Sequence, residues 1–502
     1  MSLVERTVTT REMRALELNA EYLGVSIFQM MENAGKAVAN EIASRFKPKS
    51  KVVIFGGVGR NGGDGMVAAR HLASMGFNVE FSLIGKESEL RDENVIRNWQ
   101  TLRKISWSIV TNEVYDSSLI SVPECDVAVC GLVGTGAKGK LRQPILQAVK
   151  ALNKAECFKV AVDLPNGIDA DNGEVLGEAV KADLTVTFHR MKKGLEKARE
   201  YAGEIKVADI GIPPEAELYA GPGDVEKVRK PRPPESHKGD FGRLLVIGGS
   251  ETYSGAPAYV ALAALRSGVD LTYICAPEKT AYAISSMSPD LITIKLKGQH
   301  FAPENLDEIK PFLERATGVA VGPGLGMHKD TVNAVEKLLD FLGKLNKPTL
   351  FDADAIKAFG LRKRRVSFPF VLTPHAGEFE ALSGKSLPAD LKQKMDKVKS
   401  VAREIGATIL LKGPVDIVSN GDNVKLNFTH NPGMTVGGTG DVLSGIVGAF
   451  LAQGFYIFEA SVAGAFLNGL AGNLVFKEKG YHMVATDLIE KIPSAIMNST
   501  SR

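Results

Sequence analysis

At 502 residues, 44% of them hydrophobic, the chain is long enough for two to four domains whose cores need neither disulfides nor a structural metal. A formal charge of +3 is too near neutral to argue for nucleic acid, and no run of 18 uncharged apolar residues argues for a membrane span. Four cysteines without C-x-x-C spacing, and a charged N-terminus lacking the apolar core of a secretory signal, predict a reducing cytoplasm. The 51 glycines fall in short clusters rather than a repeat, which suggests backbone approaching ligands. The richest basic run, Arg362-Lys363-Arg364-Arg365, reads as a solvated turn.

In chain order, KVVIFG (51–56), FNVEFSLIG (77–85), CDVAVCGLVG (125–134), FKVAVDLP (158–165), ADLTVTFH (182–189) and EIKVADIGI (204–212) read as strands. MVAARHLASMG (66–76) has helical spacing. Helices between strands predict an α/β domain with a parallel sheet covered on both faces. The turn after the first strand holds Gly57-x-Gly59-x-x-Gly62, with Glu80 on the next strand, a weak match to the dinucleotide fingerprint. Gly63 and Gly65 would each cost a helix interior about 1 kcal/mol against Ala. The reading is therefore a longer loop, with the helix beginning near Asp64 or Met66 and its free N–H groups facing an anion. A tight strand–helix turn is the plain alternative.

GTGAKGKL (134–141) has the outline of a phosphate loop, but Leu141 stands where the magnesium-binding Ser or Thr belongs. It reads as a glycine-rich ligand wall. Asp163 ends an apolar strand, placed either as a general acid or base or as a cap of the next turn.

MMENAG (30–35), GRNGGDGMVAARHL (59–72), GLVGTGAKGK (131–140) and VDLPNGID (162–169), in this order, resemble the NAD(P)HX epimerase domain over roughly residues 5–212. The resemblance implies a Rossmann-like three-layer fold and interconversion of the R and S hydrates of reduced nicotinamide cofactors. It implies cofactor contacts from Arg60, Asn61, Gly62, Gly63, Asp64, Gly134, Thr135, Gly136, Lys138, Gly139 and Lys140, with Asp163 as catalytic acid/base. The chain departs from the family pattern at Arg60, Cys130 and Asn166, where relatives carry Asn, Asp and Ser. The last two positions, with Asn61, belong to the family's potassium site. A thiol and an amide there predict at most a weak potassium site at Asn61 and Asn166, and epimerisation insensitive to potassium.

From Pro213 to His237 six prolines and no clear period mark a linker, placed at 215–235 between domains 1–214 and 236–502. Beyond it, GRLLVIGGS, DLTYICAP, GVAVGPGLG, KPTLFDADA, FVLTPHAGE and ATILLKG read as strands running into polar or glycine-rich loops. VDIVSNGDNVKLNF reads as a hairpin about Asn420-Gly421. GAPAYVALAALRSGV, GDVLSGIVGAFLAQG and EASVAGAFLNGLAGNLVF read as helices.

NPGMTVGGTGDVLSG (431–445) is the most informative stretch. Gly437, Gly438 and Gly440 precede a helix starting near Asp441, a combination that forms an anion hole. Asp441 is placed either as the base for a substrate hydroxyl or as an acid favourable at any helix start. Asp352 and Asp354 offer carboxylates acting directly or through magnesium, and Lys412 suits a nucleotide or the surface. No close His, Cys and Asp spacing suggests zinc.

HKGDFGRLLVIGGS, SGAPAYVALAALRSG, VGPGLG, DADAI, TPHAGEFEAL, LLKGPVDIV and NPGMTVGGTGDVLSGIVGAFLAQG, in this order over roughly 230–495, resemble the ADP- or ATP-dependent NAD(P)HX dehydratase of the ribokinase-like superfamily. The resemblance implies nucleotide contacts from Lys412, Gly413, Pro414, Val415, Asp416, Asn431, Gly433, Met434, Thr435, Gly437, Gly438, Thr439 and Gly440. Gly326, His375, Ala376, Gly377, Glu378, Phe379 and Asp441 would meet the hydrated cofactor. ADP or ATP would be a consumed cosubstrate, with magnesium, and both resemblances imply homo-oligomers. The glycine turn alone also fits a small-molecule kinase of the hydroxymethylpyrimidine type behind an inactive cofactor-binding module.

Overall fold

The structure, a computed structural model, describes residues 7–362 and 366–500. The turn expected at the basic run falls on 363–365, outside the described residues. The chain divides into two compact units, Met1–Pro214 and Glu215–Arg502. Among the described residues no helix is long and apolar enough to cross a membrane.

The first unit is built on seven strands: β1 (Lys51–Gly56), β2 (Asn78–Ile84), β3 (Ile109–Val114), β4 (Val127–Gly131), β5 (Phe158–Val162), β6 (Leu184–Phe188) and β7 (Glu204–Ala208). They run in the order β3-β2-β1-β4-β5-β6-β7, every pairing parallel. β4 and β6 are buried along their whole length, as apolar strands covered on both faces must be. The strand order reverses between β1 and β4, the position where open α/β sheets bind ligands. β3 was not legible as a strand, because an edge position leaves it polar and half exposed.

The helix after β1 corrects one expectation. It runs Arg60–Ser74 with Gly59 as N-cap, so Gly62, Gly63 and Gly65 lie inside it rather than in a loop. A Cβ on Gly62 would sit 1.9 Å from the Gly57 carbonyl oxygen, and one on Gly63 2.7 Å from the Met31 sulfur. The Gly57 backbone cannot move aside as the Met31 side chain can, so it is Gly62 that requires glycine, and its close approach to the turn after β1 offsets the low helix propensity.

The second unit holds β8 (Arg243–Ile247), β9 (Leu271–Pro277), β10 (Ile292–Leu296), β11 (Gly318–Val321), β12 (Thr349–Phe351), β13 (Phe370–Leu372), β14 (Thr408–Leu411), β15 (Asp416–Ser419) and β16 (Val424–Asn427). Their order is β10-β9-β8-β11-β12-β13-β14-β15-β16, parallel as far as β14. β15 and β16 form the expected hairpin, closed by residues 420–423 with Gly421 at φ +91°. Helices Gly255–Arg266, Thr439–Ala452 and Ile457–Lys479 pack into one core with β8 and β11.

The segment 215–235 is structured in its first part. Helices Pro214–Leu218 and Pro222–Glu226 bury Ala216 and Val225, Tyr219 bridges Leu426, and Lys425 pairs with Asp224 at 2.9 Å. Residues 231–238 are exposed and carry neither helix nor strand.

Candidate active sites

In the first unit a cavity of about 620 Å³ opens where the loops after β1 and β4 meet. Glu17, Arg60, Asn61, Asp64, Gly134, Thr135, Gly136, Asp163 and Lys192 are on its wall. Asp163 follows β5 with φ +65°, a left-handed conformation that a non-glycine residue keeps only when its surroundings impose it. Here they do. Its N–H donates to the Val186 carbonyl at 2.8 Å, and its carboxylate accepts from Thr187 Oγ1 and Phe188 N, each at 3.1 Å. The third donor is Lys192 Nζ at 2.5 Å, on a side chain only 1% exposed.

Lys192 was missed in the sequence, where a lysine pair reads as surface charge. The signal was its place just beyond β6, the strand beside β5. Burial, reinforced by the Asp163 and Glu17 charges, holds the Asp64 carboxyl well above the ordinary carboxylate range. Burial also raises Glu17. The cavity therefore joins a carboxylate fixed by three donors to two carboxyls that resist ionisation.

Arg60 does not swing free. Its Nε reaches Asp92 at 2.7 Å, and Asp92 in turn caps helix Glu93–Lys104 through the Asn94 N–H. Lys138 is held by Asp169 at 3.0 Å and Asp171 at 3.2 Å. Gly62 and Gly63 are buried packing positions, and Gly139 and Lys140 are exposed; none of the four lines the cavity. Glu80 accepts from Asn112 on β3 and is likewise not on the cavity wall.

The residues expected to hold potassium do not fit it. Asn166 Oδ1 accepts from Leu132 N at 3.0 Å while its Nδ2 donates to Val133 O at 2.7 Å. The backbone polarity fixes which way this amide points, and both of its ends are engaged. Cys130 is a core thiol that burial pushes up, away from thiolate. Asn61 donates to Val162 O at 2.8 Å, which leaves its buried Oδ1 without a partner among the described residues. One such oxygen is too little for a hard cation, which takes several.

In the second unit the site grows from the ends of β12, β13 and β14. Asp352, 2% exposed, accepts from Lys412 Nζ at 2.9 Å, Thr373 Oγ1 at 2.8 Å and Ser444 Oγ at 2.7 Å. Burial pushes its carboxyl up, but Lys412 and the two hydroxyls outweigh that and hold it below the ordinary range. Asp354 accepts from Gly326 N and from Lys357 Nζ, each at 2.9 Å. Neither acid is the open magnesium ligand that the sequence suggested, because the oxygens of both are engaged by protein donors.

Lys412 lies directly under the glycine turn, since a Cβ on Gly440 would be 3.5 Å from its Nζ. Gly438, at φ +95°, is the N-cap of helix Thr439–Ala452, whose first-turn N–H groups have no intrahelical partner. Asp441 sits in that first turn, and its carboxylate accepts no hydrogen bond from any described residue. Burial first, then the Asp352 charge, raise its pKa to about 7, with Lys412 opposing.

Other expected residues frame this point. His375 and Glu378 cap helix Ala376–Ser383 reciprocally, at 3.3 and 2.9 Å, and a backbone bridge sets His375 beside Lys412. Ala376, Gly377, Gly413, Pro414 and Gly437 are exposed, and Val415 packs partly on the core. Phe379 is fully buried in that core and turned away from any ligand. Asp416 accepts from Gly413 N and Asn427 Nδ2, closing the turn after β14. Asn431 accepts from buried Gly433 N, Met434 packs on the core, and Thr435 and Thr439 bond backbone carbonyls. Thr373 and Ser444 were not anticipated, because isolated hydroxyls carry no signal in a sequence.

Two family models match the chain: one described as YjeF-related protein N-terminus, over residues 27–194, and one described as NAD(P)H-hydrate dehydratase, over 244–494. A bifunctional NAD(P)H-hydrate repair enzyme of Pyrobaculum aerophilum is 46% identical over 498 residues, 98% of each chain. One of Methanothermobacter thermautotrophicus is 43% identical over 491 residues, covering 97% of this chain and 94% of its own. A ribokinase-like superfamily protein of Enterococcus faecalis, of known structure, is 27% identical with a TM-score of 0.50 over 57% of this chain and 97% of its own.

Proposed function

We propose, for a chain that belongs to the bifunctional NAD(P)H-hydrate repair enzymes, that the first unit interconverts the R and S hydrates of reduced nicotinamide cofactors and the second dehydrates the S form at the expense of ADP or ATP. The observation that carries the reading is Asp441, half-buried and without a hydrogen-bond partner among the described residues, at a helix N-terminus with the Lys412 amine beneath the same turn.

Hydroxide is a poor leaving group from the hydrated ring, and phosphorylation converts it to phosphate. Asp441 takes the hydroxyl proton as the oxygen attacks the terminal phosphorus of the nucleotide. The first-turn N–H groups and Lys412 hold the charge that spreads over the phosphoryl oxygens. The ring nitrogen's lone pair then expels phosphate, and the reduced cofactor is restored. Asp352 keeps Lys412 charged and in place. A magnesium ion would neutralise the nucleotide phosphates and would be held chiefly by them, because the oxygens of Asp352 and Asp354 are engaged by protein donors.

In the first unit the same ring nitrogen expels the hydroxyl, and water returns from the opposite face. Asp64, whose carboxyl burial holds well above the ordinary carboxylate range, gives the departing hydroxyl its proton; Asp163, fixed by Lys192, takes one from the incoming water. Exchange proceeds without potassium.

The test is incubation of separated R and S hydrates with ADP or ATP, followed by the absorbance of the reduced cofactor. Recovery from both epimers supports both activities. A stable phosphorylated product without regenerated cofactor would instead indicate a small-molecule kinase.

A further inference from the structure

Sequence spacing hides a cluster that the second unit assembles away from the glycine turn. His300 lies in the segment after β10, while His328 and Asp330 lie at the start of helix Lys329–Leu345. Their donor atoms all fall within 4.8 Å of one another. We propose that His300, His328 and Asp330 form a binding site for a divalent first-row transition-metal ion.

The distances carry the argument. His300 Nε2 is 3.5 Å from Asp330 Oδ2, and His328 Nδ1 is 3.6 Å from the same oxygen. Both exceed the roughly 2.7–3.2 Å of an N–H···O hydrogen bond, so the carboxylate does not simply accept from the rings. Both match a coordination polyhedron. Metal–ligand bonds of about 2.0–2.1 Å at tetrahedral angles set neighbouring donors about 3.4 Å apart. The two imidazole rings stack, with centroids 3.7 Å apart and planes tilted by 31°, so a rotation of the exposed His328 ring is needed to spread them to the roughly 5 Å that two imidazoles on one tetrahedral ion require.

Two imidazoles and one carboxylate suit Zn²⁺, Co²⁺, Ni²⁺ or Cu²⁺ rather than Mg²⁺. Side-chain exposures of 32% for His300, 53% for His328 and 50% for Asp330 leave room for water to complete the shell. Two features oppose the ion. The helix N-terminus is positive, so binding depends on the Asp330 charge. The Asp330 N–H also donates to His328 Nδ1, but at 3.3 Å, a long contact that is readily given up. An ion here would fasten the segment after β10 to the helix that follows Gly322–Gly326, and so brace the loop whose Gly326 N–H is tied to Asp354.

The test uses the tag-free full chain, stripped with chelator. Co²⁺ is titrated by visible absorption, Zn²⁺ by calorimetry, and the zinc form is examined by X-ray absorption. One equivalent bound through nitrogen and oxygen alone is expected. His300→Ala, His328→Ala and Asp330→Asn should each weaken binding by about tenfold or more. Their metal-free melting temperatures should stay within a few degrees of the parent, because the side chains are about a third exposed or more and His328→Ala removes only one long helix-cap contact. No binding by the parent chain, unchanged affinity in the variants, or sulfur ligation through the cysteines would overturn the proposal.

Discussion

The two units place a carboxylate at the end of the same kind of parallel sheet and treat it in opposite ways. Asp163 is bent into a strained backbone and clamped by two neutral donors and a buried ammonium. Asp441 has no side-chain donor among the described residues, and burial beside the Asp352 charge lifts its pKa to about 7. The first arrangement fixes the position of the carboxylate that meets the incoming water; the second leaves a group able to gain and lose a proton near neutral pH. In the second unit the clamp falls on a different acid, Asp352, which three donors hold while Lys412 faces the glycine turn. Clamping a charge and poising a base are separate tasks, and the second unit gives them to separate acids.

The comparison breaks most visibly at Asp441. Asp441→Asn keeps the size and removes the base, and dehydration should fall by about 10²–10⁴ while nucleotide binding persists. Absorbance recovery and nucleotide calorimetry on one preparation check this, and near-normal turnover would remove Asp441 from the mechanism. Asp163→Ala should stop epimer exchange and leave dehydration of the S form intact, because the two carboxylates belong to separate compact units with separate cores. Loss of both activities in a folded variant would contradict the division of labour.

Lys192→Met tests the clamp itself. It leaves a buried carboxylate without its cation, a change that costs about 3–5 kcal/mol. Both tryptophans, Trp99 and Trp107, belong to the first unit, so denaturation followed by their fluorescence reads that unit alone. An unaltered midpoint would show that the ion pair does not hold Asp163.

A smaller effect comes from pH. A base with a pKa of about 7 is ionised above it, so dehydration should rise with pH through about 7 and fall about tenfold per unit below. Asp352→Asn removes the negative neighbour while Lys412 remains, which should move that limb to lower pH. A limb that stays in place would deny the coupling. The smallest expected effect is none at all: exchange rates in sodium and potassium buffers should coincide. A strong potassium requirement would show that Asn61 Oδ1 and the neighbouring carbonyls suffice for a cation.

Much of this was legible in the chain. Apolar runs bounded by turn residues, together with one Asn-Gly hairpin, marked fourteen of the sixteen strands, and the two missed ones, β3 and β10, lie at sheet edges where burial no longer imposes a pattern. The glycine turn and Asp441 were legible because a helix start beside flexible peptides is a local arrangement. The start of helix Arg60–Ser74 was misplaced because glycine propensity argued for a loop, whereas the packed turn sets the Gly57 carbonyl so close to Gly62 that only glycine fits there.

What the sequence determined by itself was therefore the order of strands, helices and loops, and with it the set of polar residues delivered to the strand ends. Periodicity and turn chemistry are written within a dozen residues, so they are readable there. Only the tertiary structure decided the partners. Lys192 meets Asp163 across 29 residues, Lys412 meets Asp352 across 60, and Ser444 meets Asp352 across 92. His300 reaches Asp330 in the same way, through the packing of two connections. Each of these pairings depends on how strands, helices and loops remote in the chain pack together, and no local pattern encodes that. Whether a carboxylate is clamped, engaged or poised is a property of its neighbours, and the fold supplies them.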